Sequence, residues 1–308
     1  ADVCGDFMDS PAIPALDVQD MTWLFVGAFN NQSTVYEVAI NHNYTVNREY
    51  QNLTVLQPNS TIVGQVTYAF SGKVASAPST TNDRIYMGMR SGTRLSNYED
   101  NSLMASRNDC NLSASPSGHN YCRIGMRAGS QITWPFRGDM YEVIVINTAL
   151  NSAEINILNN YLAAKYDRTI SNDYYDYQAS YGENVIGIGQ ELDGNNPTAT
   201  GQGIVTISGA TSLNDGDYLF LGDDDVNLGN ISSNVPASLV GHERFERVWR
   251  VDEEGDVGDV TITLDLNIYA PGPNVASTRL LVNPMANGAD MSLATPISGT
   301  YDGGTNTI

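Results

Sequence analysis

Residues 136–166, FRGDMYEVIVINTALNSAEINILNNYLAAKY, limit the possible folds more than any other stretch. Residues 140–146 are β-branched and apolar but for Glu142, which predicts a strand buried on both faces. Asn151-Ser-Ala-Glu154 has the spacing of a capping box, in which each residue satisfies an N–H of the helix start. Ile155, Leu158, Leu162 and Tyr166 then recur at steps of three and four, giving one apolar stripe. Lys165 and Arg168 close the last turn, where a cation suits the helix dipole. This is the one helix the pattern predicts. The rest reads as strands and loops.

Strand signals recur on both sides of it. Residues 21–30 and 33–41 read as paired strands across Asn30-Asn31-Gln32. Residues 60–70 alternate, with Ile62, Val66, Tyr68 and Phe70 on one face. Two near-copies, RIYMGMR at 84–90 and RIGMR at 123–127, fit adjacent strands. Further strands are predicted at 203–208, 218–222, 245–252, 259–266 and 279–283, with 252–258 as a hairpin loop. Val260, Ile262, Leu264 and Leu266 define the cleanest face. The fold class is therefore mainly β, with two β-sandwich domains in tandem.

Charge locates the boundary. Of the 308 residues, 1–170 carry 15 acidic and 11 basic side chains, whereas 171–308 carry 20 acidic and 4 basic. Such acidity, with lysine only at 73 and 165, excludes nucleic acid and anionic membrane surfaces as partners. It suits salty water and calcium. No run approaches the roughly 20 apolar residues of a membrane span. We expect an arm or linker at 1–20, a first sandwich at 21–170, an acidic sandwich at 171–290 and a terminal strand or linker at 291–308. The start ADVCGDFMDS and the end SGTYDGGTNTI are those expected of a segment from a longer, processed polypeptide.

A resemblance enters at Gly138, Asp139, Glu142, Asn147, Ala149, Leu150, Ser152, Ala153, Glu154 and residues 161–166. Their pattern resembles the end of a concanavalin A-like, laminin G-like jelly roll. Residues 185–189 resemble the β-rich module that often follows it in large type IX-secreted surface proteins of gliding bacteria. Arg247, Trp249, Val251, Glu253, Gly255, Val257 and Gly258 carry that second likeness further. The resemblance implies a jelly roll closed by the amphipathic helix, then a second antiparallel sandwich. It also implies an extracellular bacterial surface setting and an adhesive or filament role.

Candidate chemistry is sparse. Asp215, Asp217, Asp223, Asp224 and Asp225 flank the short strand YLFLG and are the candidate calcium ligands. They fail the EF-hand pattern, because Leu228 stands where Gly is needed and Asn234 where Glu is. Solvated turns are the plainer reading. Cys110 and Cys122 bracket a polar loop and suit a disulfide, worth ~3 kcal/mol for a loop of that size. Such a bond implies an oxidising compartment and leaves Cys4 over. A sugar would stack on Trp134, beside Pro135, or on Tyr174, Tyr175 and Tyr177, whereas Trp23 and Trp249 read as core.

Zinc and serine-hydrolase patterns are absent, since His42, His119 and His242 are scattered and no Gly-x-Ser-x-Gly occurs. Glycosidases on this fold need two carboxylates facing one cleft, and Glu142 is alone on its strand. Arg137-Gly138-Asp139 reads as coincidence at a strand mouth, and six Asn-x-Ser/Thr sites as polar β-loops. The expected function is a non-catalytic structural or adhesive segment. Its partners are a cell-surface glycan or neighbouring subunits, with self-association into a fibre among the expectations. The alternative is a lectin-like carbohydrate-binding module.

Overall fold

The computed structural model describes residues 7–16, 18, 20–29, 37–45, 48–56, 64–69, 72–78, 82–108, 122–126, 135–202, 204–267, 278–284, 288 and 290–308, with 42–45, 48–56, 64–69 and 72–78 described by backbone alone. The chain divides into two compact units: residues 1–150 with 168–171, and 151–167 with 172–308. Both are β-sandwiches with antiparallel strand pairing.

Unit 1 holds β1 (Met8–Asp9), β2 (Met21–Phe29), β3 (Glu37–Val38), β4 (Ile40–Thr45), β5 (Arg48–Leu56) and β6 (Gly64–Ala69). It continues with β7 (Gly72–Pro78), β8 (Arg84–Ser91), β9 (Arg94–Glu99), β10 (Ser102–Arg107), β11 (Cys122–Ile124) and β12 (Gly138–Ile146). One sheet runs β1-β11-β4-β5-β6-β7 with β3 also on β5; the other runs β10-β9-β8-β2-β12. Met21, Trp23, Phe25, Phe29, Tyr86 and Leu95 of the second sheet meet Ala39, Ile40 and Cys122 of the first in one core. Phe25 stacks on Tyr86 at 4.8 Å and meets Phe29 edge-on at 5.4 Å, so offset aromatic packing adds to the area buried. The β9–β10 hairpin turns on Asp100 and Asn101, both with positive φ (45° and 64°), as a two-residue type I′ turn requires.

Three expectations change here. β2 does not pair with the segment after it; it lies between β8 and β12, while β3 and β4 belong to the opposite sheet. A strand buried at all nine positions needs neighbours on both edges and cover on both faces, which a lone hairpin cannot give. The near-copies RIYMGMR and RIGMR give β8 and β11, which lie in different sheets and not side by side. β12 is half-buried, because among the described residues it is an edge strand paired with β2 alone, and its Glu142 sits beside a register shift.

The helix α1 (Ser152–Tyr166) starts with the capping box read from the sequence: Glu154 N–H donates to Asn151 Oδ1 and Asn151 N–H to Glu154 Oε2, both at 2.9 Å. Its assignment to the first sandwich is corrected, since α1 belongs to unit 2 and the boundary falls near 150, not 170. The apolar stripe is also only half right. Leu158 and Tyr166 are half-buried, while Asn156, Asn159 and Asn160 are buried beside Ala153, Ile155 and Leu162.

Unit 2 continues with β13 (Glu183–Glu191), β14 (Gly194–Asn196), β15 (Ala199–Gly201), β16 (Val205–Ser208), β17 (Tyr218–Asp223) and β18 (Asn230–Ile231). Then come β19 (Arg244–Phe245), β20 (Trp249–Glu254), β21 (Thr261–Leu264), β22 (Arg279–Val282) and β23 (Thr295–Ser298). Sheets β14-β13-β17-β20 and β15-β16-β21 enclose Ile188, Val205, Ile207, Leu219, Leu221 and Val257, with Ile186, Ile262 and Leu264 against them. The expected 252–258 hairpin is a crossover, because β20 pairs with β17 and β21 with β16. Val257, 1% exposed, is drawn into the sandwich core at that crossing.

The other face of β13 and β17 carries α1. Val185, Tyr218 and Phe220 meet Ala153, Ile157, Tyr161 and Ala164, so the unit has three layers. Glycine makes the fit possible. A Cβ on Gly189 would stand 2.2 Å from the Tyr218 ring and one on Gly187 2.7 Å from Phe220. Gly189→Ala is expected to cost unit 2 about 1–3 kcal/mol through overpacking. A fall in its thermal midpoint, followed by circular dichroism, checks this. Among the described residues no helix is long and apolar enough to cross a membrane.

Candidate functional site

The acidic loops do not converge. Asp217 and Asp223 stand at opposite ends of β17, roughly 20 Å apart at 3.4 Å per residue. Asp217 accepts N–H bonds from Asn214 at 2.8 Å and Asp256 at 3.2 Å; burial works the other way, but these bonds hold its carboxyl below its ordinary value. Asp215 accepts from the Gln190 amide at 3.4 Å. Asp224 accepts from Val226 and Val248 N–H, and Asp225 is exposed, 3.9 Å from Arg247. Asp223, 2% exposed, takes the Asp225 N–H on Oδ1. These carboxylates pin turns and an arginine. Among the described residues, no three His, Cys, Asp or Glu side chains gather where a metal ion would sit.

The aromatic candidates are structural. Tyr175 is fully buried and its hydroxyl donates to the Tyr181 carbonyl at 2.7 Å, with burial pushing its pKa up. Tyr174 stacks on Tyr218 at 4.7 Å, and Tyr177 lies 4.0 Å under the Arg250 guanidinium. Tyr174, Tyr175 and Tyr177 of the connector pack against the cluster on the helix side of unit 2, Tyr174 and Tyr177 remaining partly exposed. Trp134 lies outside the described residues.

Cys122 is a free, buried thiol on β11, pushed up to about 11 by burial; Cys110, its expected disulfide partner, lies outside the described residues. The sequence placed it at a loop end. It is the first residue of β11 and so borders that loop, with its side chain buried in the core cluster that includes Ile40.

Unit 2 has a cleft that the sequence reading missed. Asn184, Ile186, Gly201, Gln202, Ile204, Val205, Leu221, Asp223, Arg247 and Trp249 line it, and its volume of about 10 Å³ is room for a single water. Its polar wall is a relay. Gln202 Nε2 donates to Asn184 Oδ1, Asn184 Nδ2 donates to Asp223 Oδ2 at 2.9 Å, and Arg247 Nη1 donates to the same oxygen at 3.3 Å. Arg247 Nε is held by the Val226 carbonyl at 2.6 Å, which fixes the guanidinium plane. Asn184 and Gln202 both sit at positive φ (51° and 47°), and Asn184 lies within a register shift between β13 and β17. Side chains other than glycine hold that conformation at some cost, so the surroundings must enforce it. Arg247, in the loop just before β20, and Trp249, the first residue of β20, both line the cleft. Trp249 packs against the sandwich core, as its sequence position predicts.

Residues 154–306, a little under half of the chain, match the model of a family described as a domain of unknown function, DUF8202. The match begins inside α1. Among solved structures, the chain is similar to a native heptameric SAP-like pentraxin from Limulus polyphemus, at 12% identity over 46% of this chain and 70% of that one, with a TM-score of 0.39. It is also similar to a Trypanosoma rangeli sialidase in complex with sialic acid, at 13% identity over 53% of this chain and 27% of the sialidase, TM-score 0.40. A third is the Ruminococcus gnavus IT-sialidase CBM40 bound to alpha2,3 sialyllactose, at 10% identity over 48% and 96%, TM-score 0.36. A comparison with curated proteins gave no match. The sandwich class itself rests on the strand pairing given above.

Proposed function

We propose that this chain is a non-catalytic segment of an extracellular surface protein, acting by adhesion and as a building block among neighbouring subunits. The observation that carries the reading is the β22–β23 hairpin. Among the described residues these strands pair only with each other, and a lone two-stranded sheet is marginal in water. The hairpin and the residues beside it expose Leu280 (40%), Val282 (40%), Leu293 (73%), Ile297 (45%) and Tyr301 (37%). Such a group of apolar side chains marks a contact surface more often than an isolated exposed leucine does. Free strand edges also accept another strand.

The test is particle sizing over a concentration series, for the native chain and for the double variant Leu280→Asp with Ile297→Asp. Growth of the native particles that the variant abolishes without unfolding supports the reading. Monomers at every concentration would overturn the subunit role. Turnover of a glycan that Glu142→Gln removes would overturn the non-catalytic one.

A further inference from the structure

We infer that the outer edge of β20 is the surface on which a second copy of this chain seats its β22–β23 hairpin, adding β22 as a further strand to the sheet β14-β13-β17-β20. The inference rests on the subunit association proposed above and names the acceptor, which that reading leaves open. Among the described residues β20 pairs with β17 alone, and no other backbone group bonds to the backbone of residues 249–254. The connector does reach β20, but through side chains on the helix face. There Asp252 accepts the Asp176 N–H at 2.7 Å and Arg250 donates to the Tyr177 hydroxyl at 2.8 Å. An unpaired row of N–H and C=O groups is a template for another strand.

The hairpin complements that edge in charge. β20 ends in Asp252, Glu253 and Glu254, so it repels an acidic strand and admits one that brings positive charge. β22 (RLLV) and β23 (TPIS) hold no acid, although residues 171–308 carry 20, and Arg279 is one of only 4 bases there. Proline then tells the two strands of the hairpin apart. Pro296, paired with Leu281, has no N–H to give, which weakens the outer edge of β23 and leaves β22 as the strand to be donated. Charge also sets the direction. Antiparallel addition with Arg279 opposite Glu254 brings Val282 opposite Val251, each 40% or more exposed where it stands. Parallel addition would turn Arg279 towards Arg250 and the apolar residues towards the acids. Donor and acceptor are different surfaces of one chain, so the contact repeats head to tail.

The experiment is particle sizing and sedimentation of whole chains blocked on one side only. One chain carries Leu280→Asp with Ile297→Asp, which removes the donor and leaves β20 intact. The other carries Val251→Lys, which removes the acceptor and leaves the hairpin intact. Glu254→Lys, at an exposed side chain, replaces it if Val251→Lys lowers the melting temperature. Each blocked chain alone is expected to stay monomeric at concentrations where the native chain grows. Their equimolar mixture is expected to form a one-to-one pair of about twice the monomer mass and to grow no further. An acceptor-blocked chain that still associates as the native one does overturns the β20 site but not the hairpin reading, since the hairpin then meets another surface. A mixture that stays monomeric overturns the site in the same way. Native chains that are monomers at every concentration overturn the association and this inference with it.

Discussion

Asn160→Leu is expected to destabilise unit 2 by about 2–4 kcal/mol, although leucine is the better helix former and the side chain is buried. The Asn160 amide is a four-way tie. Its Nδ2 donates to the Asn156 and Asn172 carbonyls, both at 2.9 Å, and its Oδ1 accepts the N–H of Tyr174 at 2.8 Å and of Tyr175 at 3.2 Å. Leucine returns none of these bonds. Two N–H groups and the Asn172 carbonyl would lose their partner. Tyr175 is buried and Tyr174 half-buried, so each of their orphaned N–H groups costs about 1–3 kcal/mol, whereas exposed Asn172 can turn to water. The damage spreads, because residues 172–177 carry Tyr174 and Tyr175 onto Tyr218 and Phe220. Urea unfolding followed at 222 nm checks the value. A loss below about 1 kcal/mol would mean that the connector is held by its aromatic rings alone, and that the asparagine is incidental.

That asparagine also shows where the sequence was legible and where it was not. Capping is local, so the Asn151–Glu154 box could be read from four residues and is present as read. Alternation is local too, and β21 presents Ile262 and Leu264 to the core as expected. What α1 packs against is not local. A stripe search rewards Leu158 and Tyr166, whereas the face on β13 and β17 is built from Ala153, Asn156, Asn160 and Ala164. Small residues admit the Tyr218 and Phe220 rings, and asparagine satisfies the connector's backbone; neither scores as hydrophobic. Sheet membership failed for the same reason. β20 and β21 look like a hairpin because they are close in sequence, but pairing partners are chosen by the core that both sheets share. The cleft was hidden because its residues come from five separate strands or loops. The acids that drew attention by clustering are turn residues, bonded to the nearest N–H groups.

Unit 1 is expected to lose stability as pH rises from about 5 to about 8, and Glu99→Gln is expected to abolish most of that loss. Glu99 lies on β9 opposite Tyr86, 6% exposed, with Oε1 buried and without a hydrogen-bond partner among the described residues. Burial raises its pKa to about 7; nearby Arg84 opposes the shift and Asp100 adds to it. The folded-state value thus stands above the unfolded one, near 4.5. Below the unfolded value both states are protonated and the contribution is complete. Between the two, the folded state keeps a proton that the unfolded chain has released, so stability falls by up to about 1.4 kcal/mol per pH unit. Above about 7 the carboxylate is charged in both states, and the folded one bears the cost of burying it, of order 3 kcal/mol. Arg84 is already engaged by Asp100, which also accepts the Ile85 N–H at 2.9 Å, so it is not free to neutralise Glu99 fully. Denaturant titrations of native and Glu99→Gln chains at pH 5, 6.5 and 8 separate the cases, with unit 1 and unit 2 transitions fitted apart. A variant that gains about 2–3 kcal/mol at pH 8 but little at pH 5 supports this assignment. If both chains keep the same slope, another group of unit 1 carries the pH dependence and Glu99 has a partner that keeps it charged.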